Sequence, residues 1–356
     1  MRKKISERTK KQALTLWVSI FFSVAAWAGS INEQAAYQRA ADFAGMHGLN
    51  TTLKQVQFQT SLRERAPKRG GVDMPELYVY NIGKEQGFIV VSGDDRTEPI
   101  LGYSESGSFS ETAIPDNMRA WLEGYSREIE SIPADYKNTA VSRSPMRSAS
   151  QPRSVIMPMI QTKWSQESPY NYFTPTYNNW GDNCVTGCVA TAMAQAMNFY
   201  RWPQDETSII PSYYSSTSGG VTIGRLAALA PVKFDWDNML INYSSYNAEQ
   251  ATAIATLMRY AGQAVEMSYG DDASSSTANK IAPALVNYFG YAKSARMLMR
   301  DNYSISDWDN MVYGELEAGR PVIYSGNVSS GDGGHVFLVD GYDGDGYYHV
   351  NWAGVA

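Results

Sequence analysis

The stretch NCVTGCVATAMAQ, Asn183 to Gln195, holds the only two cysteines of the chain, Cys184 and Cys188. Beyond Cys188, the residues Val189, Ala192, Met193, Ala196, Met197 and Tyr200 recur at helical spacing. That spacing predicts a helix over 188–200 with this stripe in a core, and it makes Met193 and Met197 packing side chains. Thr186 is placed to cap the helix. Cys188 then sits in the first turn, beside amide groups that have no intrahelical partner. The helix dipole favours negative charge there, so a lowered thiol pKa is expected.

Four roles compete for the pair. Helical residues at i and i+4 hold their Cβ atoms about 5–6 Å apart, whereas a disulfide needs about 3.8 Å. A bond therefore requires Cys184 to lie outside the helix in a bent approach. A zinc site needs more ligands, and the three histidines lack ligand spacing. No metal and no cofactor are expected. Redox pairs of the thioredoxin kind have two intervening residues, and here there are three. A buried inert Cys188 is the plain reading. Gly187 argues against it, because a glycine there allows backbone or ligand to come close.

A nucleophilic cysteine needs a base. His47 lies far upstream, leaving His335 and His349. GGHVFLVDGYDGDGYYHVNW (333–352) reads as a hairpin turning at Asp343-Gly344-Asp345-Gly346. If Tyr342 pairs with Tyr347, alternation puts His335, Phe337 and Val339 on one face with Val350 and Trp352. His349 and Asn351 then face the other way. His335 is the expected base, Trp352 its same-face neighbour, and His349 an ordinary strand residue.

The whole chain bounds the class. It has 356 residues, 44% hydrophobic and 19% charged, which suits two folded domains rather than a disordered chain. Residues 1–28 carry six basic residues and one acid, then an apolar run ending in Ala26-Trp27-Ala28. This is the pattern of a cleaved secretory signal peptide, so a secreted protein, extracellular or periplasmic, without stable membrane insertion is expected. Removing that net +5 takes the formal charge from −6 to −11, which disfavours nucleic-acid partners.

Residues 29–136 read as a small α+β domain. It has a helix at 31–45, strands at 77–82, 87–93 and 100–104, and a helix over 117–132 opened by Asp116 as N-cap. KNTAVSRSPMRSASQPR (137–153) reads as an exposed linker open to cleavage. Residues 154–356 hold helices near 188–200, 248–267 and 277–289, then strands at 321–326, 335–342 and 347–352. Helices first and strands last again indicate α+β.

At these residues the chain resembles the streptopain family of secreted bacterial cysteine peptidases, which are papain-like and made as zymogens. TGCVATAMAQAMNFYRWP (186–203) is similar to the family's nucleophile motif and GGHVFLVDG (333–341) to its histidine motif. KWSQESPYN (163–171) is similar to the stretch that supplies an oxyanion donor. AVEMSYG (264–270) and YYHVNW (347–352) resemble further family stretches. The resemblance implies Cys188 as nucleophile, His335 as base, Gln166 as oxyanion-hole donor and Trp352 in support. It makes Cys184 a bystander.

Residues 77–132 resemble the inhibitory propeptide, which implies an intramolecular inhibitor, protein substrates and an apolar side chain in the second subsite. Ala353 and Gly354 stand where the family has Gly and Trp, and the closing strands have no counterpart. A fragment or a truncated relative is therefore expected. The alternative function is an inactive relative acting as a binding or inhibitor-like protein.

Overall fold

The computed structural model describes residues 29–58, 75–112, 114, 116–133, 153–178, 180–327 and 334–353. The leader 1–28, nearly all of the linker, Gly333 and Gly354 lie outside the described residues.

The N-terminal domain runs α1 (Glu33–Met46), β1 (Leu53–Val56), β2 (Leu77–Ile82), β3 (Phe88–Ser92), β4 (Ile100–Ser104) and α2 (Asp116–Ser131). Asn32 caps α1 by accepting the Ala35 amide. Asp116 is the first residue of α2 and lies within the helix rather than before it. The strands form one antiparallel sheet in the order β1-β2-β3-β4. The edge strand β1 adds to the three strands expected.

Both faces of this sheet are covered. Tyr78, Tyr80, Ile82, Ile89 and Val91 pack against Ala36, Ala40 and Phe43 of α1. Leu77, Val79 and Val90 pack against Leu122 and Ile129 of α2. LYVYNI is apolar on alternate positions of both parities because each face meets a helix.

The C-terminal domain contains α3 (Cys188–Tyr200), β5 (Tyr213–Ser215), β6 (Gly224–Leu226), α4 (Ala248–Ala264), α5 (Ile281–Tyr288), α6 (Ile305–Glu317), β7 (Val322–Asn327), β8 (Gly334–Tyr342) and β9 (Tyr348–Asn351). The β5–β6 hairpin and α6 were not anticipated. The expected helix at 277–289 divides into a short 3-10 turn, Ala278–Lys280, followed by α5.

A single apolar stripe does not describe α3. All nine residues from Val189 to Met197 are buried, while Tyr200 is 42% exposed. The helix is enclosed by α4 and by β8, and its alanines let both approach. A helix buried all round needs no polar face.

Strands β7, β8 and β9 make an antiparallel sheet with β8 in the centre. At the turn, Tyr342 pairs with Tyr348, one residue off the expected register. An irregularity between Val339 and Gly341 leaves Asp340 unpaired and corrects the slip, so Val339 faces Val350 and Leu338 faces Asn351. The expected faces are therefore restored beyond the bulge. Phe337, Val339, Val350 and Trp352 form one cluster with α6, whereas Val336 and Leu338 face the α3 core.

The N-terminal domain grips the β8–β9 hairpin at both ends. At the turn, Tyr103 donates to Asp343 Oδ2 at 3.0 Å and packs edge-on to Tyr347, which Phe43 also meets. At the other end, Trp121 of α2 lies edge-on to Phe337, at 5.3 Å between ring centroids, and 6.2 Å from Trp352. A Cβ on Gly326 would come within 2.3 Å of the Trp121 ring, and Gly326 is the strand partner of His335. The glycine is thus a socket for the indole.

Trp121→Ala is expected to loosen this contact by about 2–3 kcal/mol, since the indole is only partly buried. Hydrogen exchange at 322–327 and 335–339 should speed up, while exchange within β2 and β3 should not change.

Candidate active site

Cys188 opens α3, and Gly187 before it is the N-cap, with φ 84° and no side-chain cap. Glycine is required at 187 twice over. The positive φ disfavours any Cβ, and a Cβ there would lie 2.7 Å from the Ser274 carbonyl. Thr186 does not cap the helix. Its hydroxyl bonds Thr191 Oγ1 at 2.9 Å, and Thr191 turns back to the Gly187 carbonyl. No side chain therefore caps the first amides of α3.

Burial raises the Cys188 thiol pKa, and the nearby backbone amides of Val336, Val189 and Cys188, which favour the thiolate, do not offset it. The expected lowering is thus overturned in this state of the protein. Cys188 packs against the core that holds Val336, the residue of β8 that follows His335. His335 itself is half-buried near the start of β8 and pairs with Gly326.

Cys184 is fully buried. Both thiols are free, which closes the disulfide option in this structure. Burial and the nearby Asp271 push the Cys184 thiol up to about 11.

Gln166 reaches the same place from another segment. Its carbonyl accepts the Thr186 amide at 3.0 Å, and its Nε2 faces the Ala353 carbonyl at 3.5 Å. Trp352 packs on Phe337 at 5.2 Å. The fold thus brings the loop of Gln166, the start of α3, the start of β8 and the end of β9 together.

His349 is more than an ordinary strand residue. Its Nδ1 lies 2.6 Å from Oδ1 of the fully buried Asp340, whose Oδ2 takes the Ile160 amide at 2.6 Å. Arg153, assigned to the linker, is also engaged. It pairs with Asp309 at 2.6 Å, donates to Asn310 and lies over the Tyr313 ring at 4.5 Å. The Arg153 contacts have no local sequence signal, because their partners come from the distant α6, whereas Asp340 meets His349 from the facing strand of the same hairpin.

Residues 164–355 match the peptidase C10 family, and residues 28–129 match the Spi protease inhibitor family. The chain is 33% identical over 305 residues to streptopain of Streptococcus pyogenes, covering 80% of this chain and 72% of that protein. It is 32% identical over 337 residues to the thiol protease/hemagglutinin PrtT of Porphyromonas gingivalis, covering 91% of this chain but only 37% of that longer protein. A solved fragment of prointerpain A from Prevotella intermedia superposes with a TM-score of 0.66 at 29% identity, covering 85% of this chain and 88% of that one.

The fold and these matches define a papain-like cysteine peptidase domain preceded by an α+β propeptide. The chain belongs to the peptidase C10 family, the family of streptopain, and is built as a cysteine peptidase zymogen.

Raised pKa values mean that less thiolate is present at neutral pH and more as pH rises. In the intact chain, iodoacetamide labelling of both thiols should be slow at neutral pH and climb with pH, that of Cys184 toward pH 11. Peptide mass mapping across pH 6–11 reads both.

Proposed function

We propose that the chain is the zymogen of an exported endopeptidase that cleaves proteins through Cys188 and His335. The observation that carries this reading is the packing of α3 on β8, with Cys188 against the core that holds Val336, which brings the helix-end thiol to the strand of His335. In this reading the Cys188 thiolate attacks the scissile carbonyl, and the His335 imidazolium protonates the leaving amine. His335 then takes a proton from water, which hydrolyses the thioester. The Cys188 amide and Gln166 Nε2 stabilise the oxyanion, Gln166 offering one N–H to it while the other stays on the Ala353 carbonyl. Trp352 packs beside the histidine strand. The preference for an apolar side chain in the second subsite is carried over from the family.

Latency belongs to the same reading. The propeptide holds the histidine hairpin at both ends, and a thiol raised by burial is a poor nucleophile at neutral pH. Cleavage within 137–153 releases the propeptide. Arg153 is pinned by Asp309, Asn310 and Tyr313, so the cut falls before it and residues 153–160 stay with the peptidase. The basic and apolar leader supports export. Among the described residues, no helix is long and apolar enough to cross a membrane.

The test is incubation of the full chain with reductant, beside Cys188→Ala, read by intact mass and casein cleavage. Wild type should convert to a form whose first residue lies at or before Arg153, and it should then cleave casein. Cys188→Ala should do neither. Gln166→Ala should lower kcat by about 10²–10³-fold. If wild type stays as inert as Cys188→Ala, the inactive binding or inhibitor-like relative becomes the reading.

A further inference from the structure

Gln195 is fully buried within α3, about two helical turns beyond Cys188. Its amide is used on both sides. Oε1 accepts from Thr162 Oγ1 at 2.7 Å, and Nε2 donates to Asn351 Oδ1 at 2.9 Å. Asn351 Nδ2 donates to the Thr162 carbonyl at 2.9 Å, which closes a ring of three residues. Asn351 Oδ1 also accepts the Ala353 amide at 3.1 Å.

These contacts fix which way each amide points. Asn351 must present its oxygen to the Ala353 N–H and its nitrogen to the Thr162 carbonyl. Gln195 must then offer N–H, not oxygen, to Asn351. A reversed Gln195 would set two acceptors against each other in a buried site, where unpaired polar atoms are unfavourable.

The ring joins three elements that each carry part of the site. Gln195 belongs to the helix that begins at Cys188. Thr162 lies four residues before Gln166. Asn351 ends β9 and holds the turn through Trp352 to Ala353. Ala353 has φ 49°, a left-handed conformation that side chains other than glycine disfavour. Its amide is held by Asn351, and its carbonyl faces Gln166 Nε2. A continuous path of hydrogen bonds therefore runs from the nucleophile helix, through Gln195, Asn351 and Ala353, to the oxyanion amide.

We infer that Gln195 is a positioning residue for the peptidase reaction: it sets the 351–353 turn, and with it Gln166, relative to Cys188. The inference rests on the Cys188–His335 reading above. Gln195 touches no reacting atom and acts through Asn351. A purely stabilising amide would lower Tm but leave the folded enzyme's kcat intact. A positioning amide lowers kcat and leaves KM nearly unchanged, because the oxyanion exists only beyond the ground state.

The experiment compares the full chain with Gln195→Met, which keeps length but no hydrogen bond, and Gln195→Glu, which places an oxygen against Asn351 Oδ1. Turnover of a peptide amide is measured after linker cleavage, well below each Tm. Both variants should lose about 10–100-fold in kcat with KM within about threefold. Gln195→Met combined with Asn351→Ala should be no slower than Asn351→Ala alone, since members of one path are not additive.

Folded variants with kcat within about twofold of wild type, a loss confined to KM, or multiplying losses in the double variant would each overturn the inference. If Gln195→Met does not fold, Thr162→Val removes one bond of the ring, and its kcat, expected about tenfold down, decides on the same terms. A wild type as inert as Cys188→Ala sinks the peptidase reading and this inference with it. An active wild type with unaffected variants sinks this inference alone.

Discussion

Strand β8 has to satisfy two faces at once, and the site depends on how it does so. Val336 and Leu338 are buried against α3. Phe337 and Val339 are buried against α6 and the propeptide tryptophan. Strand alternation leaves no freedom between these demands, because a slip of one residue exchanges the two faces. The bulge at Asp340 absorbs such a slip. Its carboxylate is buried yet fully used, by the Ile160 amide and by His349. The bulge therefore does two things: it restores the register that carries His335, and it ties residues 156–160 to the sheet.

The balance at Cys188 follows from magnitudes. A helix N-terminus favours a negative group by about 0.3–1 kcal/mol, up to about 2 in buried geometry. Full burial of an ionisable group shifts its pKa by as much as about 3–5 units, and each unit is about 1.4 kcal/mol. Burial wins while the thiol is enclosed.

The propeptide is a sheet covered by helices on both faces. Its contacts with the peptidase domain are aromatic and sit at the two ends of one hairpin. Edge-to-face aromatic pairs contribute about 0.5–1.5 kcal/mol each beyond their buried area. A few such contacts join the two domains, and the Gly326 socket gives the Trp121 contact its shape specificity.

Periodicity and glycine placement in the sequence determined the two-domain α+β order, the helix that begins at Cys188, the strand of His335, and the faces of Phe337, Val339 and Trp352. These are local properties, set by side-chain period and by φ at single residues such as Gly187. Three things were decided by tertiary structure alone: the direction of the thiol pKa shift, the anchoring of Arg153, and the ring of Gln195, Thr162 and Asn351. Each depends on groups brought together from far apart in the chain. Gln195 carried one faint sign, a lone amide among Val, Ala and Met in VATAMAQAM. A helix buried all round tolerates such an amide only when other elements satisfy it, and no local pattern specifies which elements those are.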